Sequence, residues 1–379
     1  MNRITSLPAV VLCIVALFAF ASPARAQNEI VIGQFAPMTG STAAFGVATD
    51  DGVQLAVDEI NAAGGVLGRP VKVVTVDDRS DPAEAVTAVQ KLINQDKVVA
   101  IIGEVASTRS LAAAPVAQRA RVPMLTPAST NPKVTQVGNY IFRSCFIDPF
   151  QGKAIANYAI GTKGLKRFAV LYDVKNDYSI GLRDAFVAAA KDKGGEVIAD
   201  ESYGEGDRDF RAQLTKIKAT NPDAVFVPGY YTEVGLIIKQ AREVGVTVPL
   251  MGGDGWEGEQ TFQIAGAAAD GCFYTNHYSP EEQRPAVQKF VAAYKQKFDG
   301  KTPNAWAILG YDAMHLMADA INRAGGTKGS DVRKALAETT GFPGASGTIT
   351  MDENRNARKP IVVLEVRGGE PRYVASVEP

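Results

Sequence analysis

Histidine is scarce in this chain, with two among 379 residues. His277 sits in a strand-like run and His315 in a helical one, and neither has a second ligand at metal spacing. Both read as structural residues, so a Ser-His-Asp relay has little to draw on. No G-x-S-x-G nucleophile turn is present. No catalytic residue, metal or cofactor is expected. Charge of one sign is also lacking: the formal net charge is −1, which leaves no basic field to hold nucleic acid. After the N-terminus no apolar run is long enough to cross a bilayer.

Cysteine is nearly missing too, with Cys13, Cys145 and Cys272 making up the set. Cys13 falls in an export signal at residues 1–26. Its basic start is Arg3, its apolar middle Val10 to Phe20, and its A-x-A cleavage site Ala24-Arg25-Ala26. Cleavage is expected after Ala26, delivering the mature chain outside the cytoplasm. Cys13 lies inside the apolar middle rather than at its end, so it does not read as a lipid-modified cysteine. Cys145 and Cys272 remain, in the strand-like runs Tyr140 to Phe146 and Gly271 to His277. Either they pair as a disulfide between neighbouring strands or they are two inert buried thiols.

What the chain has in quantity is apolar sequence, 46% of residues, enough for the cores of two ordinary domains. Short apolar runs alternate with helical stripes such as Val53, Ala56, Val57 and Ile60. That rhythm predicts an α/β fold with two doubly wound parallel-sheet lobes. It runs once to Phe146 and again, at similar size, to His277. Two strongly helical segments follow, then a tail with strand-like runs. The expected division puts residues 27–146 and 278–345 in lobe 1 and residues 147–277 and 346–379 in lobe 2. Several chain crossings between lobes would make a hinge.

Two stretches of lobe 1 share one design. Val98 to Ile102 ends in Gly103 with Ser107 beyond it, and Val122 to Leu125 ends in Thr126-Pro127 with Ala128, Ser129 and Thr130 beyond. Ligands of such sheets bind past the carboxyl ends of the strands. Ser107 and Thr130 are expected to be helix N-caps, and two helix starts side by side suit a small anion such as a carboxylate. Either hydroxyl alone reads more readily as a plain cap, and it is the pair at equivalent strand ends that points to a ligand. In the other lobe, Gly253 to Gly258 fits G-x-G-x-x-G, but Asp254 and Glu257 would set carboxylates against a pyrophosphate. A Rossmann-type enzyme is therefore the weaker rival. Asp254 is better read as the partner of a ligand cation, since a buried acid needs a cation or donors. Its plain alternative is a turn residue bonding its own backbone. Phe45, Tyr178, Tyr231, Trp256 and Trp306 lie near predicted loops or helix starts and are candidate apolar walls.

These residues bring a family into view. The segments IGQFAPMTG, GVQLAVDEINAAGGVLGRPV, TPASTNP, GYYTEVGLIIKQAREVG and MGGDGWEG resemble the periplasmic leucine/isoleucine/valine-binding proteins, receptors of branched-chain amino-acid ABC importers. The likeness covers nearly all of the mature chain. It implies a Venus-flytrap fold with three crossovers, a small amino-acid ligand in the cleft, an inner-membrane ABC permease as partner, and residence in the periplasm. A monomer is expected. By the same resemblance, Ser107, Ala128 and Thr130, with Ser129 beside them, would bind the carboxylate. Thr130 would also meet the ammonium, Tyr178 would close over the ligand, and Phe45 would form a side-chain wall. Asp254 stands where leucine-type receptors usually have a glutamate. Ala106 stands where they have a cysteine, so the usual disulfide of that lobe is absent. The shorter acid leaves the ligand open among amino acids, amides and aromatic acids. A sensing role beside a signalling partner stays open as well.

Overall fold

The computed structural model describes residues 29–378. The expected export signal, its cleavage point and Cys13 lie outside the described residues. The first lobe starts with β1 (Ile30–Ala36), α1 (Ala43–Ala62), β2 (Val71–Asp77), α2 (Pro82–Asn94), β3 (Ala100–Ile102), α3 (Ser107–Ala120), β4 (Met124–Thr126), the single turn α4 (Lys133–Gln136) and β5 (Ile141–Arg143). Its strands lie in the order β2-β1-β3-β4-β5, all parallel. β3 and β4 are fully buried three-residue runs, as strands covered by helices on both faces require. Asp81 caps α2 by accepting from the N–H groups of Ala83 (2.7 Å) and Glu84 (3.0 Å), with Pro82 in the first turn.

The second lobe follows with α5 (Asp148–Asn157), β6 (Arg167–Asp173), α6 (Asp177–Asp192), β7 (Glu196–Tyr203), α7 (Arg211–Ala219), β8 (Ala224–Phe226), α8 (Tyr231–Glu243), β9 (Leu250–Gly252), α9 (Glu259–Ala265) and β10 (Phe273–Asn276). The chain then returns to the first lobe as α10 (Pro285–Lys297), α11 (Ala305–Ala324) and α12 (Gly329–Ala337). A small antiparallel sheet of β11 (Phe342–Gly344), β12 (Gly347–Met351) and β13 (Ala357–Arg358) comes next. Finally β14 (Ile361–Arg367) and β15 (Glu370–Val377) add antiparallel to the second sheet, whose order is β15-β14-β10-β9-β8-β6-β7.

One expectation needs correction, and one open alternative is decided. The last crossing is expected between residues 345 and 346, but Ile349, Met351 and Ala357 pack into the core of the first lobe with Ile30, Ile32 and Val53. The chain crosses at Lys359 and Pro360 instead. The disulfide is also not formed: Cys145 and Cys272 are free and buried. They follow β5 and precede β10, strands of two different sheets. Cys145 donates to the Ser129 carbonyl (3.6 Å), while the Cys272 sulfur accepts from Arg242 (3.7 Å). Burial pushes their thiols up, to about 12 and about 11.

The lobes are closed on each other. One apolar cluster runs across the cleft, with Phe45, Val105, Ala128 and Trp306 of the first lobe against Tyr178, Tyr230 and Tyr231 of the second. Polar contacts span it as well. Ala305 N–H donates to Glu257 Oε1 (3.1 Å), Asp177 N–H to Thr108 Oγ1 (2.9 Å), and Asn131 Nδ2 to the Asp177 carbonyl (2.7 Å). Among the described residues no helix is long and apolar enough to cross a membrane.

Candidate functional site

The carboxyl ends of β3 and β4 face the cleft from one side, and those of β6, β8 and β9 face it from the other. Between them lies a small cavity of about 10 Å³. Its lining is Val105, Ser107, Ala128 and Thr130 with Trp306 from the first lobe, and Tyr178, Tyr230, Asp254 and Gly255 from the second. Five of the nine residues expected to bind ligand thus surround one cavity: Ser107, Ala128, Thr130, Tyr178 and Asp254. The hydroxyls and the acid stand on opposite lobes.

The hydroxyl side is built differently from the expected pair of capped helices. Ala106, not Ser107, holds the cap position of α3, and Ser107 is the first helical residue. Its Oγ accepts from Asn131 N–H (3.2 Å), so the Ser107 proton is left to donate. Thr130 caps nothing. Pro132 holds the cap position of α4, which is one turn long, and Asn131 Oδ1 accepts from Lys133 N–H (3.0 Å). The Thr130 hydroxyl is buried without a partner at hydrogen-bonding geometry. The first-turn N–H groups of α3 add donors, because a helix start leaves them without intrahelical partners.

This side is held from behind by buried charge. The Arg143 guanidinium donates to the carbonyls of Ser129 and Asn131 and to Asn356 Oδ1, fixing the loop that carries Ala128 and Thr130. Glu104 takes the Ala106 N–H and pairs with Arg109 (Oε1 to Nε, 3.1 Å), while Arg109 reaches Thr42 Oγ1 (2.6 Å). Burial raises the neighbouring Asp78 carboxyl to about 8, with Glu104 adding repulsion and Arg109 opposing. Asp148, at the start of α5, is likewise raised to about 8 by burial, with the Thr130 hydroxyl beside it drawing it down.

The acid side is equally ordered. Asp254 follows β9 and is 2% exposed. Its Oδ1 accepts from Gln151 Nε2 (3.0 Å) and its Oδ2 lies 2.9 Å from His277 Nε2, while its own N–H donates to Gln151 Oε1 (2.8 Å). The Asp254 side chain therefore does not bond its own turn. Tyr178 Oη accepts from Gly255 N–H (3.0 Å), and its ring stacks on Tyr230 with centroids 5.2 Å apart. Burial first, then the charge of Asp254, lifts the Tyr178 phenol well above its usual range, so it keeps its proton. Two glycines of the G-x-G-x-x-G run, Gly253 and Gly255, serve close packing, while Gly258 takes a φ of +146°. A Cβ on Gly253 would lie 2.5 Å from Leu182 Cδ2 and 2.6 Å from Tyr178 Oη, and one on Gly255 would lie 2.5 Å from the Gly229 carbonyl. No phosphate cradle is formed by that motif.

Four expected residues stand outside the cavity lining. Ser129 Oγ is turned away, bonded to Ser110 Oγ (2.7 Å) and to the Glu104 carbonyl (2.9 Å). Trp256 belongs to the core on the far face of the second sheet, with its Nε1 donating to the Val227 carbonyl (2.8 Å). Phe45 and Tyr231 form a layer behind the lining: their rings meet at 5.0 Å, Phe45 packs on Trp306 at 4.2 Å, and Tyr231 Oη accepts from Ala44 N–H (3.5 Å). Sequence reasoning missed Val105, Tyr230 and Gly255 as lining, and missed Gln151, His277 and Arg143 as supports. A signal for His277 existed. β9 and β10 are adjacent parallel strands, so residues just past their ends, Asp254 and His277, converge.

A family model described as periplasmic binding protein matches residues 29–370. The chain belongs to that family. Its two parallel-sheet lobes have the type I periplasmic binding protein fold, and members are substrate-binding proteins. The chain is 44% identical to a leucine-binding protein of Thermotoga maritima whose crystal structure it matches with a TM-score of 0.89, covering 92% of this chain and 99% of that one. A branched-chain amino-acid substrate-binding protein of Streptococcus pneumoniae, solved in complex with isoleucine, is 37% identical with a TM-score of 0.87, covering 93% and 100%. The Leu/Ile/Val-binding protein homolog 3 of Brucella melitensis is 33% identical over 91% of this chain and 92% of its own length. In this periplasmic binding protein, as in any two-lobed receptor, a cleft is the place where a ligand can favour closure.

Proposed function

We propose that this chain is the exported receptor of an ABC importer and binds one amino acid, branched-chain or related, between its lobes. The observation that carries the proposal is one small cavity with Ser107 and Thr130 on one wall and Asp254 on the other. The ligand's α-carboxylate takes donors from Ser107, Thr130 and the start of α3. Its ammonium lies against Asp254, with Thr130 within reach of both groups. Tyr178, Tyr230, Val105, Ala128 and Trp306 enclose the remainder. The closed lobes leave only about 10 Å³ between these walls, so they part to admit a ligand. The relatives from T. maritima and S. pneumoniae, a leucine-binding protein and an isoleucine complex, support the ligand class. The chain performs no covalent step. Closure around ligand produces the state that an inner-membrane permease reads, and the export signal is removed after Ala26.

Isothermal titration calorimetry tests this directly. The panel is L-leucine, L-isoleucine, L-valine, other amino acids, their amides, benzoate and 4-methylpentanoate, which is leucine without its amino group. Tight binding of at least one free amino acid, and much weaker binding of its deaminated analogue, is expected. Tight binding confined to compounds without an amino group would overturn the role given to Asp254.

A further inference from the structure

We infer that His277 is a positioning residue for the ligand's ammonium: carrying its proton on Nε2, it fixes Asp254 from the hinge. This rests on the proposed binding of an amino acid at Asp254. His277 does not line the cavity and acts only through the acid. A carboxylate has no proton to give, so the 2.9 Å contact to Asp254 Oδ2 requires His277 Nε2–H as donor. His277 Nδ1 is buried with no partner, which suits a bare ring nitrogen. A second proton there would be a buried donor with nothing to bond, and that is costly. Gln151 completes the clamp. Its Oε1 accepts from Asp254 N–H and from Thr275 Oγ1 (2.9 Å), which turns Nε2 towards Asp254 Oδ1. Each carboxylate oxygen thus receives one fixed donor, and its remaining lone pair is left for the ligand.

The placement of His277 adds a second consequence. All three chain crossings meet near its ring. His277 itself begins the second crossing, just past β10. Phe146 of the first crossing stacks on it with centroids 4.0 Å apart and planes at 16°. Lys359 of the third crossing and Asp254 are the charged groups that act on it. From the first lobe, Trp306 presents its ring at 6.2 Å, edge-on. Burial holds the imidazole below its usual range, against the pull of Asp254, in keeping with a neutral ring. The ammonium contact is therefore anchored to the segment about which the lobes turn.

The test compares His277→Phe, which keeps the stacking partner and removes the donor, with His277→Gln, which keeps a donor at the position of Nε2. Calorimetry is run with L-leucine and with 4-methylpentanoate. The expected result is a loss of about tenfold or more for leucine in His277→Phe, from one misplaced charge-assisted bond, with the analogue within about twofold. His277→Gln is expected to restore most of the leucine affinity. A merely structural role would weaken both ligands together, and that result, or an unchanged leucine affinity, overturns the inference. A wild-type protein that binds no amino acid overturns the functional reading on its own, before any variant is made. Nitrogen-15 spectra of the wild-type rings decide the tautomer without reference to any ligand, with His315→Gln assigning the two signals. A protonated Nε2 and a bare Nδ1 at pH 7 are expected; a cationic ring overturns the inference.

Discussion

Replacing Asp254 by asparagine removes one negative charge and leaves the shape of the side chain nearly unchanged. The residue is 2% exposed, so water cannot take its place in the closed cleft. A charge-assisted hydrogen bond contributes about 1.5–3 kcal/mol, which corresponds to a loss of about 10- to 150-fold in affinity for an amino acid. An ammonium left buried without a counter-charge raises the cost to roughly 3–5 kcal/mol, so tenfold is the lower bound. The surrounding bonds adapt. The oxygen of the introduced amide can still accept from Gln151. The ring of His277 can take the other tautomer, with Nε2 accepting from the amide nitrogen; the proton then on Nδ1 is a buried donor with no partner and costs about 1–3 kcal/mol of stability, less than the roughly 5–15 kcal/mol that holds a typical domain. The fold should therefore persist, and 4-methylpentanoate, which offers no ammonium, should bind within about twofold of its wild-type affinity by the same bond count. Calorimetry on both ligands with both proteins gives the answer. Equal losses for leucine and analogue would show a collapsed pocket rather than a lost ion pair. No loss for leucine would refute the reasoning outright.

Three further outcomes are expected. Asp148 keeps a proton in the folded state up to about pH 8 that the unfolded chain loses near pH 4, so its contribution to stability falls as pH rises between those values and levels off above. Thermal unfolding of Asp148→Asn should thus gain on the wild type from pH 5 to pH 8, by up to about 4 kcal/mol at about 1.4 kcal/mol per pH unit, and parallel curves would contradict the burial argument. Glu257 accepts from Ala305 N–H, and Trp306 Nε1 donates to its carbonyl (3.2 Å), so it latches the lobes without touching the cavity. Glu257→Ala should weaken leucine and 4-methylpentanoate by the same factor, since it lowers the share of closed protein for any ligand; a leucine-selective effect would place Glu257 in the site. Alkylation of the mature chain unfolded without reductant should add two labels, at Cys145 and Cys272, and unchanged mass would mean that they pair.

Much of the fold was legible because buried parallel strands leave a plain mark: three-residue runs such as Ala100–Ile102 and Met124–Thr126 between helical stripes. The mark says strand but not which sheet. Gly347–Met351 and Ile361–Arg367 read alike, yet the first packs on the opening lobe and the second on the other, which displaced the last crossing. The same limit applied to Cys145 and Cys272, each beside a strand and on different sheets. At the site, Ser107, Thr130 and Asp254 were readable because polar residues just past buried strands face the cleft. Tyr230 and Tyr231 show where that logic stops. They are adjacent, yet the first ring stacks on Tyr178 in the cavity wall and the second turns towards Ala44. Trp256 and Trp306 are likewise equivalent in sequence, but Trp256 Nε1 bonds the Val227 carbonyl inside the core.

What joins these observations is a cleft with donors on one lobe and an acid on the other, bridged by a ligand carrying both charges. A crystal structure of the protein with the tightest-binding amino acid of the panel measures this most directly. The α-carboxylate is expected within hydrogen-bonding distance of the Ser107 and Thr130 hydroxyls, and the ammonium within the same distance of the Asp254 carboxylate. An amine pointing away from residue 254, or a carboxylate bound elsewhere, would contradict it.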